Sequence, residues 1–400
     1  MNRPIEDIRR ALSGTAGPEL LTEIWHADWN VPTARKIEAT IDVAIGVHLG
    51  SRRKRNEDRA GMAHVKSLCG QGFAVALVCD GVGGSEMGDM AATIALASCV
   101  GDLAELRQAT PVRELLPRVI RSMDDAVRRA LAGKGATTAS VLLASSDGDL
   151  VAANVGDSRL FAWNQSEQQL RQVSVDDTLE NELRNLPGAD ISALNARGLQ
   201  GSLSQALGEA GRSSSDLRIV VFERREFGQG AVIASDGAWK AAPDGFAAIV
   251  RNAPSAADLV RRVVTSALWM GGIDNVSVVA IQDVEQFINL ASYDVDGLGR
   301  NRITFWFADT KLVLNDVYGG QRPEPIPPRE NGRQDKPSAQ LDKKAARKPS
   351  GRNRKKMTVT SRMNPQLDLE VEGESRASEQ YNETKPKIVV STDDDSPKSE

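Results

Sequence analysis

Four short acidic motifs stand in a fixed order along this chain, each at the end of an apolar run or just before one. They are Arg53…Asn56-Glu57-Asp58, Asp80-Gly81-Val82-Gly83-Gly84, Ser235-Asp236-Gly237 and Asp274-Asn275. Phe73 to Cys79 is an apolar run of buried-strand length that delivers Asp80, and Val232-Ile233-Ala234 delivers Asp236. Asp274-Asn275 follows Gly271-Gly272 and precedes the strand-like Val276 to Ile281. A fold that satisfies this pattern gathers several strand mouths at one place.

Taken singly, each Asp-Gly is a common turn dipeptide, and Arg52-Arg53-Lys54-Arg55 is an ordinary solvated charge run. Their co-occurrence raises the odds of a site. Its donors are oxygen only, with no His or Cys among them, which suits hard cations such as Mg2+ or Mn2+ rather than zinc. A guanidinium beside such carboxylates could grip a tetrahedral oxyanion through two parallel hydrogen bonds.

The rest of the chain sets the frame. Ile41 to Val47 reads as a strand, Met87 to Leu106 and Val112 to Leu131 as two consecutive helices, and Thr137 to Ala144, Leu150 to Asn154, Arg159 to Trp163 and Leu170 to Val173 as an antiparallel meander turning at Asp147-Gly148 and Gly156-Asp157. Two further strands over Leu217 to Glu223 and Ala231 to Ala234, a helix over Ala256 to Leu268 and a closing strand over Val276 to Ile281 give an α+β layered domain rather than strict βαβ alternation. Asp176 to Gly201, with Pro187-Gly188, reads as a helix and loop over the surface, a candidate lid. Met1 to about Glu38 reads as a polar lead-in with a short helix at Ile5 to Leu12, outside the core.

A net charge of -4 gives no reason to expect nucleic acid as partner. No run approaches the roughly 18 apolar residues of a membrane helix, and Met1 to Arg10 lacks an apolar segment, so a cytoplasmic location is expected. Cys69, Cys79 and Cys99 have no C-x-x-C spacing and read as reduced residues in apolar surroundings.

With these motifs assembled, the chain resembles the PP2C-type (protein phosphatase 2C) metal-dependent protein serine/threonine phosphatases, in their bacterial form, over about Ile41 to Asp283. The resemblance rests on the four motifs in order, Gly88-Asp89 opening the first long helix, Ala136-Thr137-Thr138-Ala139, Gly156-Asp157-Ser158-Arg159, and Leu203-Ser204-Gln205-Ala206-Leu207-Gly208. It implies an α-β-β-α sandwich of two antiparallel sheets flanked by helices, with a centre for two divalent cations, Mn2+ or Mg2+, at one end. Asp80 would bridge both cations; Asp236 and Asp274 would complete one site, and the Gly81 carbonyl with Glu57 the other. Asp58 would act through a water, Arg53 would hold the substrate phosphate, and Asn275 and Asp157 would support the ligands.

The resemblance further implies hydrolysis of phosphoserine and phosphothreonine in proteins, the products of a serine/threonine kinase, without a covalent phosphoenzyme. An alternative reading is a pseudophosphatase, a module that binds phosphoproteins in a kinase or partner-switching circuit. Two departures matter. Val82 stands where many eukaryotic members carry His, and Leu131 to Gly135 offers no acid for a third cation.

The expected organisation is an N-terminal extension over 1–40, a phosphatase domain over 41–283 and docked strands within 284–320, drawn from Ile303 to Phe307 and Lys311 to Leu314. Residues 321–400 are rich in Pro, Ser and charge and read as a disordered tail. Its basic stretch, Lys336 to Lys356, is expected to attract an acidic partner or surface.

Overall fold

The computed structural model describes residues 5–38, 41–83, 85–184, 186, 194, 197–199, 201–293 and 302–315. The expected tail lies outside these residues, as do 185, 187–193, 195–196 and 200 of the candidate lid; the lid begins with a short helix α5 (Leu179–Arg184).

Among the described residues, thirteen strands form two antiparallel sheets. One has six strands in the order β1 (Val31–Glu38), β2 (Ile41–His48), β11 (Val276–Ile281), β10 (Gly230–Ala234), β7 (Arg159–Asn164), β8 (Gln169–Gln172). The other has seven, in the order β13 (Thr310–Asn315), β12 (Arg302–Phe307), β3 (Arg59–Lys66), β4 (Gly72–Cys79), β5 (Ala139–Ser145), β6 (Leu150–Val155), β9 (Val220–Glu223). This is the expected α+β sandwich.

Alternation along the strands explains why both faces of the six-stranded sheet are covered. Val43, Ile45, Ile233, Val279 and Ile281 join the large core shared with the other sheet. Their neighbours Ala44, Val232, Ala234, Val278 and Ala280 face a second core beneath α7 (Pro243–Asn252) and α8 (Ala256–Trp269). Period-two burial with apolar residues at both phases requires a layer on each face. Gly46 lets α8 approach, since a Cβ there would lie 2.3 Å from Val260 Cγ1. Helices α3 (Gly88–Ala104) and α4 (Val112–Leu131) cover the seven-stranded sheet, and α9 (Val284–Ser292) packs on β4 and β5.

The meander is not a single one. β5 and β6 pair within the seven-stranded sheet while β7 and β8 pair in the other, so the Gly156-Asp157 turn carries the chain from sheet to sheet. Gly156 sits at φ 104°, and a Cβ there would collide with Thr138 Cγ2 at 2.5 Å. Periodicity records that a face is buried, not which strand lies beside it.

The lead-in also departs from expectation, for it enters the core. Ile8 of α1 (Ile5–Arg9) and Leu20, Leu21 and Ile24 of α2 (Ala16–Ile24) are fully buried. Full burial of such side chains contributes about 2 kcal/mol each relative to exposure. Small residues allow the contact: a Cβ on Gly101 of α3 would lie 2.6 Å from Gly17 Cα. Arg129 Nη2 donates to the Ala11 carbonyl at 2.8 Å, and the Glu105 carboxylate accepts from the Ala16 amide at 3.1 Å, so α4 and the C-terminal end of α3 cap the segment.

Asp124 of α4 is fully buried and accepts the Gly208 amide at 2.7 Å, with the guanidinium groups of Arg128 and Arg212 beside it. Among the described residues, no helix is long and apolar enough to cross a membrane.

Candidate active site

Antiparallel pairing fixes where the acidic motifs meet. The registers Arg59↔Cys79, Val276↔His48 and Ala234↔Arg159 align the C-terminal ends of β2, β4 and β10 with the N-terminal ends of β3, β7 and β11 within each sheet, and the hydrogen bonds of Glu57 with Asn275 and Gly81 bring the two sheets' ends together. Asp80 follows β4, Asp236 opens α6 (Asp236–Trp239) after β10, Asp274 and Asn275 precede β11, and Asp157 lies in the turn between β6 and β7. Arg53, Glu57 and Asp58 lie on the segment from β2 to β3. All nine sequence-predicted positions, Gly81 and Asn275 included, therefore share one end.

Asn275, 3% exposed, ties the segments together. Its amide nitrogen donates to the Leu49 and Arg55 carbonyls at 2.7 and 3.0 Å, and its Oδ1 accepts the Glu57 amide at 2.8 Å. Gly81 donates its amide to the Glu57 carbonyl at 3.2 Å, and a Cβ there would lie 2.6 Å from the Gly88 carbonyl carbon and 2.8 Å from Glu57 Cβ. Only glycine fits between them. Gly237 plays the same part opposite, where a Cβ would meet the Asn275 carbonyl oxygen at 2.0 Å.

The N-terminal segment reaches this site through Trp29. Its carbonyl accepts Asn56 Nδ2 at 3.3 Å, and its ring lies 5.0 Å from the Arg59 guanidinium. Arg59 in turn donates to the Asn56 and Asp58 carbonyls, both at 2.8 Å, and to Thr93 Oγ1 at 2.8 Å. Burial lowers the Arg59 pKa to about 10, opposed by Asp89 and Asp58.

Charge inside the site is one-sided. Asp58 is 1% exposed, and neither carboxylate oxygen closes a hydrogen bond of normal geometry. The Ser235 and Ser277 hydroxyls and Asp80 stand near enough to favour its ionised form, yet burial prevails and pushes its pKa up to about 6. Asp80 is held well above the usual carboxylate range by burial and then by Asp58, Asp236, Asp157 and Asp274. Burial and the charge of Asp236 push Asp157 up to about 7, against Lys240. Glu57 is raised by burial and Asp89, with Arg53 opposing.

Two cationic side chains offset part of this charge. Arg53 Nη2 donates to Asp274 Oδ2 at 2.7 Å, a hydrogen bond that raises the arginine's pKa. Lys240 Nζ donates to Asp236 Oδ2 at 3.0 Å; burial pulls the lysine down, and Asp236, Asp157 and Asp274 more than restore it. Sequence reasoning misses Lys240, whose only signal is its i,i+4 spacing from Asp236 on a single helical turn. It also misses Asp176 and Asp177. Asp176 holds Arg159 through two nitrogens at 2.7 and 2.9 Å, and Asp177 Oδ2 accepts the Gly156 amide at 3.0 Å and so fixes the turn that carries Asp157.

Among the described residues, no three acidic groups stand in closed ligand geometry around one point. The donor chemistry fits divalent cations nonetheless. The buried, unpartnered Asp58 carboxylate among mutually repelling carboxylates, all oxygen donors, beside the Gly81 backbone forms an environment a hard cation would neutralise.

The protein phosphatase 2C profile matches residues 48–183, which carry Arg53, Glu57, Asp58, Asp80, Gly81 and Asp157. Over residues 48–183 the chain is similar to the protein phosphatase 2C family. Serine/threonine phosphatase stp of Listeria welshimeri is 27% identical over 245 residues, spanning 58% of this chain and 92% of that protein; stp of Listeria monocytogenes matches to the same extent. Among solved structures, Staphylococcus aureus serine/threonine phosphatase Stp1 shares the protein phosphatase 2C fold at a TM-score of 0.51 and 19% identity, over 62% of this chain and 97% of that one. A bacterial serine phosphatase gives 0.51 and 20%, over 61% and 98%.

Proposed function

We propose that this chain hydrolyses phosphoserine and phosphothreonine in proteins, the products of a serine/threonine kinase, at the acidic end of its sandwich. The observation that carries this reading is the buried, unpaired Asp58 carboxylate among Asp80, Asp236 and Asp274, set beside an arginine. The match of residues 48–183 to the protein phosphatase 2C family supports it, as does similarity to the Listeria serine/threonine phosphatases.

Asp80, Asp236, Asp274, Glu57 and the Gly81 carbonyl would hold two divalent cations, Mn2+ or Mg2+, with Asp58 acting through a water. When bound, such cations lower the pKa of water and stabilise charge on phosphoryl oxygens. The chain's own residues do the rest. Arg53 binds the phosphate, for which it exchanges Asp274, and its planar fork orients the phosphoryl group for in-line attack. Asn275 fixes the Glu57 segment against the Asp274 segment, and Asp177 fixes the Asp157 turn. None of Cys69, Cys79 and Cys99 begins a C-x5-R sequence, and no covalent intermediate is required.

The test is hydrolysis of para-nitrophenyl phosphate and of phosphothreonine and phosphoserine peptides by the full chain in EDTA, Mg2+ or Mn2+, beside an Asp236→Asn variant. Turnover that needs the metal and disappears in the variant is expected. Equal turnover in both proteins would overturn the reading.

A further inference from the structure

Immediately before Asp274 the surface changes character. Trp269, at the end of α8, is 88% exposed, Ile273 65% and Met270 51%. A tryptophan so exposed beside two further large apolar side chains is the kind of patch that marks an interaction surface. Next to it lies a small depression lined by Ala241, Ala242, Ile249, Ser266, Ala267 and Met270 and bounded by Ala238 of α6, two residues from Asp236.

The ridge is tied to the site. Gly271 and Gly272, at φ 107° and 54°, fold the loop so that the Gly272 carbonyl accepts the Ser51 and Arg52 amides at 2.7 and 3.1 Å. Left-handed backbone at successive positions suits glycine. Gly50 packs so closely that a Cβ there would lie 2.2 Å from the Asp274 carbonyl oxygen. One rigid unit thus carries an apolar ridge, the Asp274–Arg53 pair and the exposed cations Arg52, Lys54 and Arg55.

We infer that this ridge is a specificity surface for the phosphoprotein: Trp269, Met270 and Ile273 receive an apolar side chain of the substrate within about four residues of its phosphorylated residue. The inference rests on the phosphatase reading above. Charge selects the occupant, because the cations of the 51–58 segment border the ridge and an extended phosphopeptide brings negative charge to them together with side chains at about 3.3 Å intervals. Exposed aromatic anchors next to arginines are the usual composition of energetically dominant contacts.

The experiment compares wild type, Trp269→Ala and Trp269→Phe in Mn2+ with para-nitrophenyl phosphate and a phosphothreonine peptide series carrying Leu, Ala or Ser at each flanking position. Wild type is expected to prefer Leu at one or two positions. Trp269→Ala should lose about tenfold in kcat/KM for the preferred peptide, Trp269→Phe should keep most of it, and the aryl phosphate should be turned over equally by all three. No flanking preference in wild type, or equal losses on peptide and aryl phosphate, would overturn the inference. So would a dimer of the full chain that Trp269→Ala dissociates in sedimentation, because the ridge would then belong to a second copy. Binding of the fluorescein-labelled peptide series to wild type and to Asp236→Asn, read by anisotropy, separates the two proposals: an inactive wild type that still prefers Leu in binding leaves the ridge standing while the hydrolytic reading fails.

Discussion

Asp124 and Asp58 are both buried carboxylates, 0% and 1% exposed, yet the chain treats them oppositely. Around Asp124 it supplies two guanidinium groups and the Gly208 amide. Around Asp58 it supplies further carboxylates, the Ser235 and Ser277 hydroxyls and an arginine, Arg59, whose hydrogen bonds go to backbone carbonyls and Thr93, and neither Asp58 carboxylate oxygen closes a hydrogen bond of normal geometry. An ionised carboxylate is expensive to bury unless it is paired. The first is therefore a brace of the fold, and the second is a demand for positive charge from outside the chain.

Removing a carboxylate should thus separate activity from stability, and the largest effect is expected at the site. Asp236→Asn should lower kcat on para-nitrophenyl phosphate by roughly a thousandfold, about 4 kcal/mol in the barrier, with an unchanged circular dichroism spectrum. Asp124→Ala should do the reverse. Removing this carboxylate leaves the Gly208 amide unpaired and takes the buried partner from the partly exposed Arg128 and Arg212, at a cost of about 1–3 kcal/mol, readable as a lower urea midpoint, while turnover per folded molecule is retained. If Asp124→Ala cost under about 1 kcal/mol, the contrast between brace and demand would collapse.

A finer test uses pH in EDTA. The folded pKa of Asp58, about 6, exceeds its ordinary 3.8. The folded state therefore binds more protons between those values, and stability falls as pH rises through that window, by on the order of 2–3 kcal/mol. Asp58→Asn in EDTA should accordingly be more stable than wild type at neutral pH, and the gap should close below about pH 4. Saturating Mn2+ should reverse the order; if wild type remains the less stable protein in Mn2+, Asp58 answers to no cation. The smallest effect is expected at Asn275, which touches only backbone and positions Glu57. Asn275→Ala should raise the Mn2+ concentration for half-maximal rate by about tenfold, with kcat at saturation nearly preserved.

What the amino-acid sequence can and cannot tell follows from the same residues. An apolar run ending in Asp or following it marks a strand mouth, so Asp80, Asp236 and Asp274 are legible as strand-end carboxylates, and the family resemblance, not their flanks alone, suggests that they form one site. Asn275 is legible as a support, though not its three hydrogen bonds, which join segments more than two hundred residues apart. Lys240 is silent because its meaning depends on a four-residue helix that periodicity cannot detect. The lead-in misleads because Ile8, Leu20, Leu21 and Ile24 are sparse among polar neighbours, and their burial depends on Gly17 meeting Gly101, a contact no local pattern encodes.

The hairpin β12–β13 has a practical corollary. It pairs with β3 through five residues, from Ile303↔Val65 to Phe307↔Gly61, and shifts the free edge of the seven-stranded sheet outward to a strand bearing Lys311. A shortened protein ending near residue 283, where the sequence resemblance stops, would present β3 with its backbone donors and acceptors open, and Met62, Ala63 and Val65 beside them. Such an edge recruits strands from other molecules. Trimming this chain to the span it shares with its relatives would therefore yield a sticky protein, whose losses through self-association could be mistaken for a catalytic defect.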